Sequence, residues 1–126
     1  MQSLSESQVH TLRAVVDRII PKDDYPSASE AGCVEFLLHL IEQESLVDSY
    51  RIGLDGVEAY SHGTAFADLS AHQQDEVLES LAKKPRSRKF ITLVARQTME
   101  GYYSDPGNGA NRGGRAWEMI GFKVTA

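Results

Sequence analysis

The sequence predicts an all-α fold: a single small domain of about five helices with an irregular C-terminal arm rich in glycine and aromatic residues. Three observations predict it. Apolar residues recur three or four apart through most of the first hundred positions, the period of a helix with one buried face. Capping residues and prolines punctuate that pattern where helices should start and stop. Beyond Glu100 the period ends, and six of the ten glycines crowd between Gly101 and Gly121. The 126 residues suffice for one domain with a real core and hardly for two.

The first helix places Val9, Leu12, Val16, Ile19 and Ile20 on one face. Ser5 with Gln8 forms a capping box, and Pro21 stops the element. A second helix is expected from about Ser29 to Gln43, with Val34, Leu37, Leu38 and Ile41 along one side and Phe36 and Leu40 widening the stripe. A third, from about Leu46 to Ser61, uses Val47, Tyr50, Leu54, Val57 and Tyr60. Gly53 and Gly56 lie inside it, each costing about 1 kcal/mol relative to alanine; a close crossing by another backbone would account for that cost. Ser70 and Gln73 form a second capping box, Val77, Leu78 and Leu81 supply the buried stripe, and Pro85 ends that helix. The fifth spans about Ser87 to Met99, with Phe90, Ile91, Val94 and Thr98 inward. The helical body is thus residues 1–100. Residues 101–126 form the arm, which should be non-helical because Gly and Asp-Pro-Gly favour turns. Tyr102, Tyr103 and Trp117 in that arm are costly to leave in water, so it reads as ordered against something.

Charge and cysteine content narrow the chemistry. The net charge is −5, yet residues 1–80 carry −11 and residues 81–126 carry +6. A lone cysteine, Cys33, allows no internal disulfide, zinc finger or iron–sulfur motif. It falls in an apolar stretch and reads as a small buried hydrophobe. No two of His10, His39, His62 and His72 have the i, i+4 spacing of paired metal ligands. Gly107 and Gly109 resemble a dinucleotide loop only superficially, because Arg112 stands where its third glycine belongs. Asp23-Asp24 after Pro21 reads as a solvated turn. The run Lys83-Lys84-Pro85-Arg86-Ser87-Arg88-Lys89 reads as a solvated connector, with no interleaved aromatics for stacking on nucleic acid. Neither a catalytic triad, a cofactor loop nor a metal set emerges, and no segment is apolar enough to span a membrane.

Two stretches together resemble a known family. Asp17-Arg18-Ile19-Ile20-Pro21, followed by Asp24, Pro26-Ser27-Ala28 and Glu30-Ala31-Gly32, is similar to the "DRIIP…PGAxEAGV" opening of the gluconate 2-dehydrogenase subunit 3 family. Gly101-Tyr102-Tyr103-Ser104-Asp105-Pro106, then Asn111-Arg112 and Trp117 with Ile120-Gly121-Phe122, resembles its "GYYSDPxYGGNR…GWxxIGF" close. Phe66, Leu69 and Gln73 resemble the helix start between them. The likeness spans about residues 9 to 122. It departs at 107–110, Gly-Asn-Gly-Ala where the family favours an aromatic before two glycines, and at Lys123–Ala126 in place of Pro-Gly.

The resemblance implies a chain without catalytic, cofactor or metal residues of its own. It implies a small, chaperone-like subunit that binds, stabilises and helps mature a large FAD-dependent oxidoreductase of the glucose-methanol-choline (GMC) class, acting on sugars, sugar acids or polyols. FAD sits in that partner, and a cytochrome subunit often takes the electrons. Tyr102, Tyr103, Asp105, Asn111, Arg112, Arg115, Trp117 and Phe122 are the expected partner-binding residues; Tyr, Trp and Arg commonly anchor such interfaces. Without a twin-arginine segment the chain as written reads as cytoplasmic, or as periplasmic by co-export if a leader was removed. A rival reading is a free-standing helical enzyme or ligand-binding protein with a pocket between helices and arm. A nucleic-acid binder acting through residues 83–89 is a third.

Overall fold

The computed structural model describes residues 3–103. Within them lie five α-helices and no strand: α1 (Glu6–Ile19), α2 (Cys33–Gln43), α3 (Val47–Ala59), α4 (Ala71–Ala82) and α5 (Pro85–Tyr103), with a 3-10 turn at Phe66–Asp68 between α3 and α4. The all-α expectation holds.

Both capping boxes form. The Gln8 amide donates to Ser5 Oγ at 3.1 Å while the Ser5 amide donates to Gln8 Oε1 at 2.9 Å, and Ser70 and Gln73 repeat the arrangement at α4. Each box pairs two amides that a helix start would otherwise leave unpaired. α1 ends where Pro21 removes the next donor.

Two expected boundaries need correction. α2 begins at Cys33 rather than Ser29, because Gly32 has φ +87°, a left-handed conformation that breaks the helix and suits glycine. Residues 28–32 are a turn of their own, opened by Ser27 and Glu30. The Ser27 amide donates to Glu30 Oε1 at 2.9 Å, and the Glu30 amide donates to Ser27 Oγ at 3.3 Å. The second correction is at the other end of the chain. Pro85 not only follows α4 but is the first residue of α5, where its missing N–H costs nothing. α5 then continues through Gly101, Tyr102 and Tyr103, which were expected to be non-helical. Gly101 is kept in the helix by tertiary packing: a Cβ there would lie 2.7 Å from the ring of Phe36, so its absence lets α2 and α5 approach. The helical body therefore continues past Glu100, through Tyr103. The rest of the arm lies outside the described residues.

α5 packs on α1, α2, α3 and α4, and α1 likewise meets the other four helices. The core lies between these two. It includes Leu12, Val15, Val16 and Ile19 from α1, Cys33, Val34 and Leu37 from α2, and Ile91, Val94, Ala95 and Tyr102 from α5, all essentially inaccessible to water. Among the described residues no helix is long and apolar enough to cross a membrane.

Candidate partner-binding surface

The family-like opening builds the fold. Asp17, in the last turn of α1, accepts from the Ser29 amide at 2.7 Å and from its hydroxyl at 2.6 Å, which ties the turn before α2 to α1. Arg18 reaches the opposite way and grips Asp75 of α4 with two hydrogen bonds, 2.8 and 3.0 Å. Such a planar two-point contact is stronger and more directional than a single ion pair. Glu30 accepts from Ser27 and Lys22, and its carboxyl is held below the ordinary range first by the Ser27 amide and then by Lys22.

A similar economy governs the middle of the chain. Glu58 of α3 accepts from the Thr11 hydroxyl at 2.7 Å and from the Phe66 amide at 3.1 Å. Gln74 donates to the Phe66 carbonyl at 2.8 Å, so Phe66 is pinned by both backbone groups while its ring is buried. The motif-like Phe66, Leu69 and Gln73 thus position the start of α4. Tyr50 donates to Gln97 Oε1 at 2.5 Å across α3 and α5; burial pushes its phenol well above the ordinary range. Cys33 is buried with its Sγ 3.6 Å from the Thr98 carbonyl, and burial, then the charges of Asp17 and Glu35, push its thiol up to about 12.

Of the expected partner-binding residues, two are described and the structure separates them. Tyr102 is fully buried and donates its hydroxyl to the Pro26 carbonyl at 2.8 Å, across 76 positions. Its ring belongs to this domain's own core. Tyr103 is 37% exposed, set edge-on to Tyr102 with ring centroids 5.4 Å apart, and keeps a surface to offer. Asp105, Asn111, Arg112, Arg115, Trp117 and Phe122 lie outside the described residues.

The structure also shows a surface that sequence reasoning missed. Where α3 meets the start of α5 there is a half-open groove of about 350 Å3, lined by Ile52, Gly53, Gly56, Phe90 and Leu93, with Arg86 and Lys89 among its borders. Gly53 makes it possible. A Cβ there would sit 2.3 Å from the Phe90 ring, so the ring lies directly on α3. The close approach expected at Gly53 is real, but it is an aromatic ring that approaches, not a backbone. Gly56 has open space around it. The signal within the sequence was Ile52, which stands off the buried Tyr50–Leu54–Val57 face of its helix. The basic run is not a loop: Lys83 caps α4, and residues 85–89 form the first turn of α5. Lys84 lies over the Tyr60 ring, 4.5 Å from its centroid, and also meets its hydroxyl.

A second, polar depression of about 610 Å3 is lined by Tyr60, His62, Thr64, Gln73 and Glu76. His72 contacts Glu76 at 2.9 Å on the exposed surface of α4. Among the described residues no group of three or more His, Cys, Asp or Glu side chains is placed to hold a metal ion.

The fold defines a small helical domain whose interior polar groups tie its helices together. The chain matches the model of the gluconate 2-dehydrogenase subunit 3 family over residues 6–123 and belongs to that family, which is that of an accessory subunit of a dehydrogenase complex. Comparison with curated proteins and with solved structures returns no significant match.

Proposed function

We propose that this chain is a non-catalytic small subunit that binds, stabilises and helps mature a large FAD-dependent oxidoreductase of the GMC class, one acting on sugars, sugar acids or polyols. The family match across nearly the whole chain carries the reading. The local chemistry supports it. Asp17, Arg18, Glu58 and Asp75, the charged groups drawn furthest into the fold, are committed to hydrogen bonds between elements. Cys33 is kept as a buried thiol. Ile52, Tyr103 and the bases of α5 are among the groups left outward, where a partner can reach them.

In this reading FAD and the catalytic base belong to the large subunit, and a cytochrome subunit can join the complex to take the electrons. The physical mechanism is linkage. A subunit that binds only the folded, flavin-loaded partner stabilises that form by mass action, by about 2.7 kcal/mol at a hundredfold excess over Kd. Arg112 and Arg115 would fix the arm by charge-assisted hydrogen bonds to the partner. The test is to produce the large flavoprotein with and without this chain and measure flavin occupancy and turnover per bound flavin. Occupancy or yield should fall without the subunit, while turnover per flavin stays nearly unchanged. The same pattern should follow from Arg112→Ala or Arg115→Ala. A large drop in turnover per flavin at full occupancy would show that the subunit reaches the active site and would defeat the accessory reading.

A further inference from the structure

The face where α3 meets the first turns of α5 carries two features that the fold itself does not use. The first is apolar. Ile52 leaves 72% of its surface in water, the most of any large hydrophobic residue among those described, and it stands beside the groove over Gly53, Phe90 and Leu93. The second is charge. Between Glu79 and Glu100 the sequence holds six bases and no acid. Arg86 and Lys89 border the groove, and Lys89 and Leu93 are shared with a shallower depression that continues along α5 to Thr92 and Arg96. Apolar floor and basic border are one continuous surface. Among the described residues Arg86, Lys89 and Arg96 form no ion pair.

This placement has a cost. Cations in the first turn of a helix oppose its dipole, and like charges three or four apart repel. An anion from outside offsets both effects, while an apolar side chain seated in the groove removes Ile52 and Phe90 from water. From this we infer that the α3–α5 face docks an acidic amphipathic segment of the large subunit. One or two bulky apolar side chains of that segment enter the groove, and its carboxylates lie against Arg86, Lys89 and Arg96. The inference rests on the accessory-subunit reading and names the chemistry of the contact. The charge pattern favours this occupant over a small amphiphile, because the ten residue steps from Arg86 to Arg96 span about 15 Å of helix, more than one anionic headgroup covers. It is favoured over nucleic acid because the floor is apolar and Phe90, packed against Gly53, is not free to stack on a base.

The experiment uses the complex purified with its large flavoprotein. A benzophenone amino acid at position 52 should cross-link to a peptide of the large subunit that carries carboxylates within one turn of a bulky apolar residue. The double variant Arg86→Glu/Lys89→Glu and, separately, Ile52→Ser should each weaken the complex about tenfold or more at low salt. The defect of the charge variant should shrink in 0.5 M NaCl, where the wild-type contact is itself screened (about 4 Å Debye length). Lys22→Glu, a single charge reversal outside this face, should bind as wild type. All three positions are at the surface and the variants should keep the wild-type melt; if the double variant does not, Ile52→Ser and the cross-link decide. A cross-link to residues 104–126 of the same chain, to lipid or to nucleic acid overturns the inference, as does wild-type affinity in both groove variants. Failure of the unmodified chain to bring down any large flavoprotein defeats the accessory reading and this inference together; normal capture with insensitive variants defeats this inference alone.

Discussion

The ring of Phe90 occupies the space that a side chain at Gly53 would fill: a Cβ built there lies 2.3 Å from two ring carbons. The glycine is needed by α5, not by α3. Helix propensity alone says that alanine should improve both glycines of α3 by about 1 kcal/mol. Packing says that only one can gain. Gly53→Ala should destabilise the domain by about 1–3 kcal/mol, because overpacking forces the ring or the helix to move. Gly56→Ala, with nothing within 4 Å and an ordinary helical φ, should stabilise it by about 0.5–1 kcal/mol. Parallel urea melts decide, and Phe90→Leu should recover part of the loss in the Gly53→Ala background. Equal effects at the two glycines would refute the packing account.

Tyr102 and Tyr103 are neighbours with opposite assignments. Tyr102→Ala should cost the domain about 3–5 kcal/mol through the cavity it leaves. Tyr102→Phe should cost about 1 kcal/mol, the value of its hydrogen bond to Pro26. Tyr103→Ala should leave the melt within about 0.5 kcal/mol of wild type and weaken capture of the large subunit by about 2 kcal/mol. Circular dichroism melts alongside binding titrations separate the two, and a Tyr103→Ala chain that unfolds would reverse the assignment.

Asp17 holds the turn before α2 in place through two hydrogen bonds to Ser29. Asp17→Ala leaves the Ser29 amide without its acceptor and should destabilise the domain by about 1–3 kcal/mol. Ser29→Ala, which keeps the amide contact, should cost less. Denaturation midpoints with unchanged slopes are the measurement, and a harmless Asp17→Ala would mean that the turn is held by Glu30 and Gly32 alone.

Cys33 supplies a pH test. Its folded-state thiol is pushed up to about 12 from an ordinary 9.0, chiefly by burial, so the native state holds this proton more tightly than the unfolded chain. Stability from this group is complete below pH 9 and is lost as pH rises from 9 toward 12, where only the unfolded chain ionises. Tyr50, also raised by burial, acts in the same direction at still higher pH. Urea midpoints should therefore fall above pH 9, and Cys33→Ala should show a shallower fall between pH 9 and 10. Native protein at pH 8 should react with thiol reagents only as fast as it opens; rapid labelling would contradict the burial.

What the sequence determined by itself was local. The two Ser/Gln capping boxes, the stop at Pro21, the inward stripes of α1 and α4 and the buried state of Cys33 all follow from residues within about one helical turn of each other, or from composition. The family also was legible, because its opening and closing residues stand in order at opposite ends of the chain. The left-handed Gly32 was missed although Ser27 and Glu30 mark a separate turn just ahead of it, since an apolar period running onward from Val34 masks a single break.

Only the tertiary structure decided which aromatic residues face inward and where the helices may touch. Gly101 looked like a helix end and is instead a contact point for Phe36, and Tyr102 looked like an interface anchor and is core. Phe90 meets Gly53 across 37 positions, Asp75 meets Arg18 across 57 and Pro26 meets Tyr102 across 76. A helix's own period reports that it has a buried face. It does not report which ring will fill which gap, because that depends on shape matched between elements that are distant in the chain and adjacent only after folding.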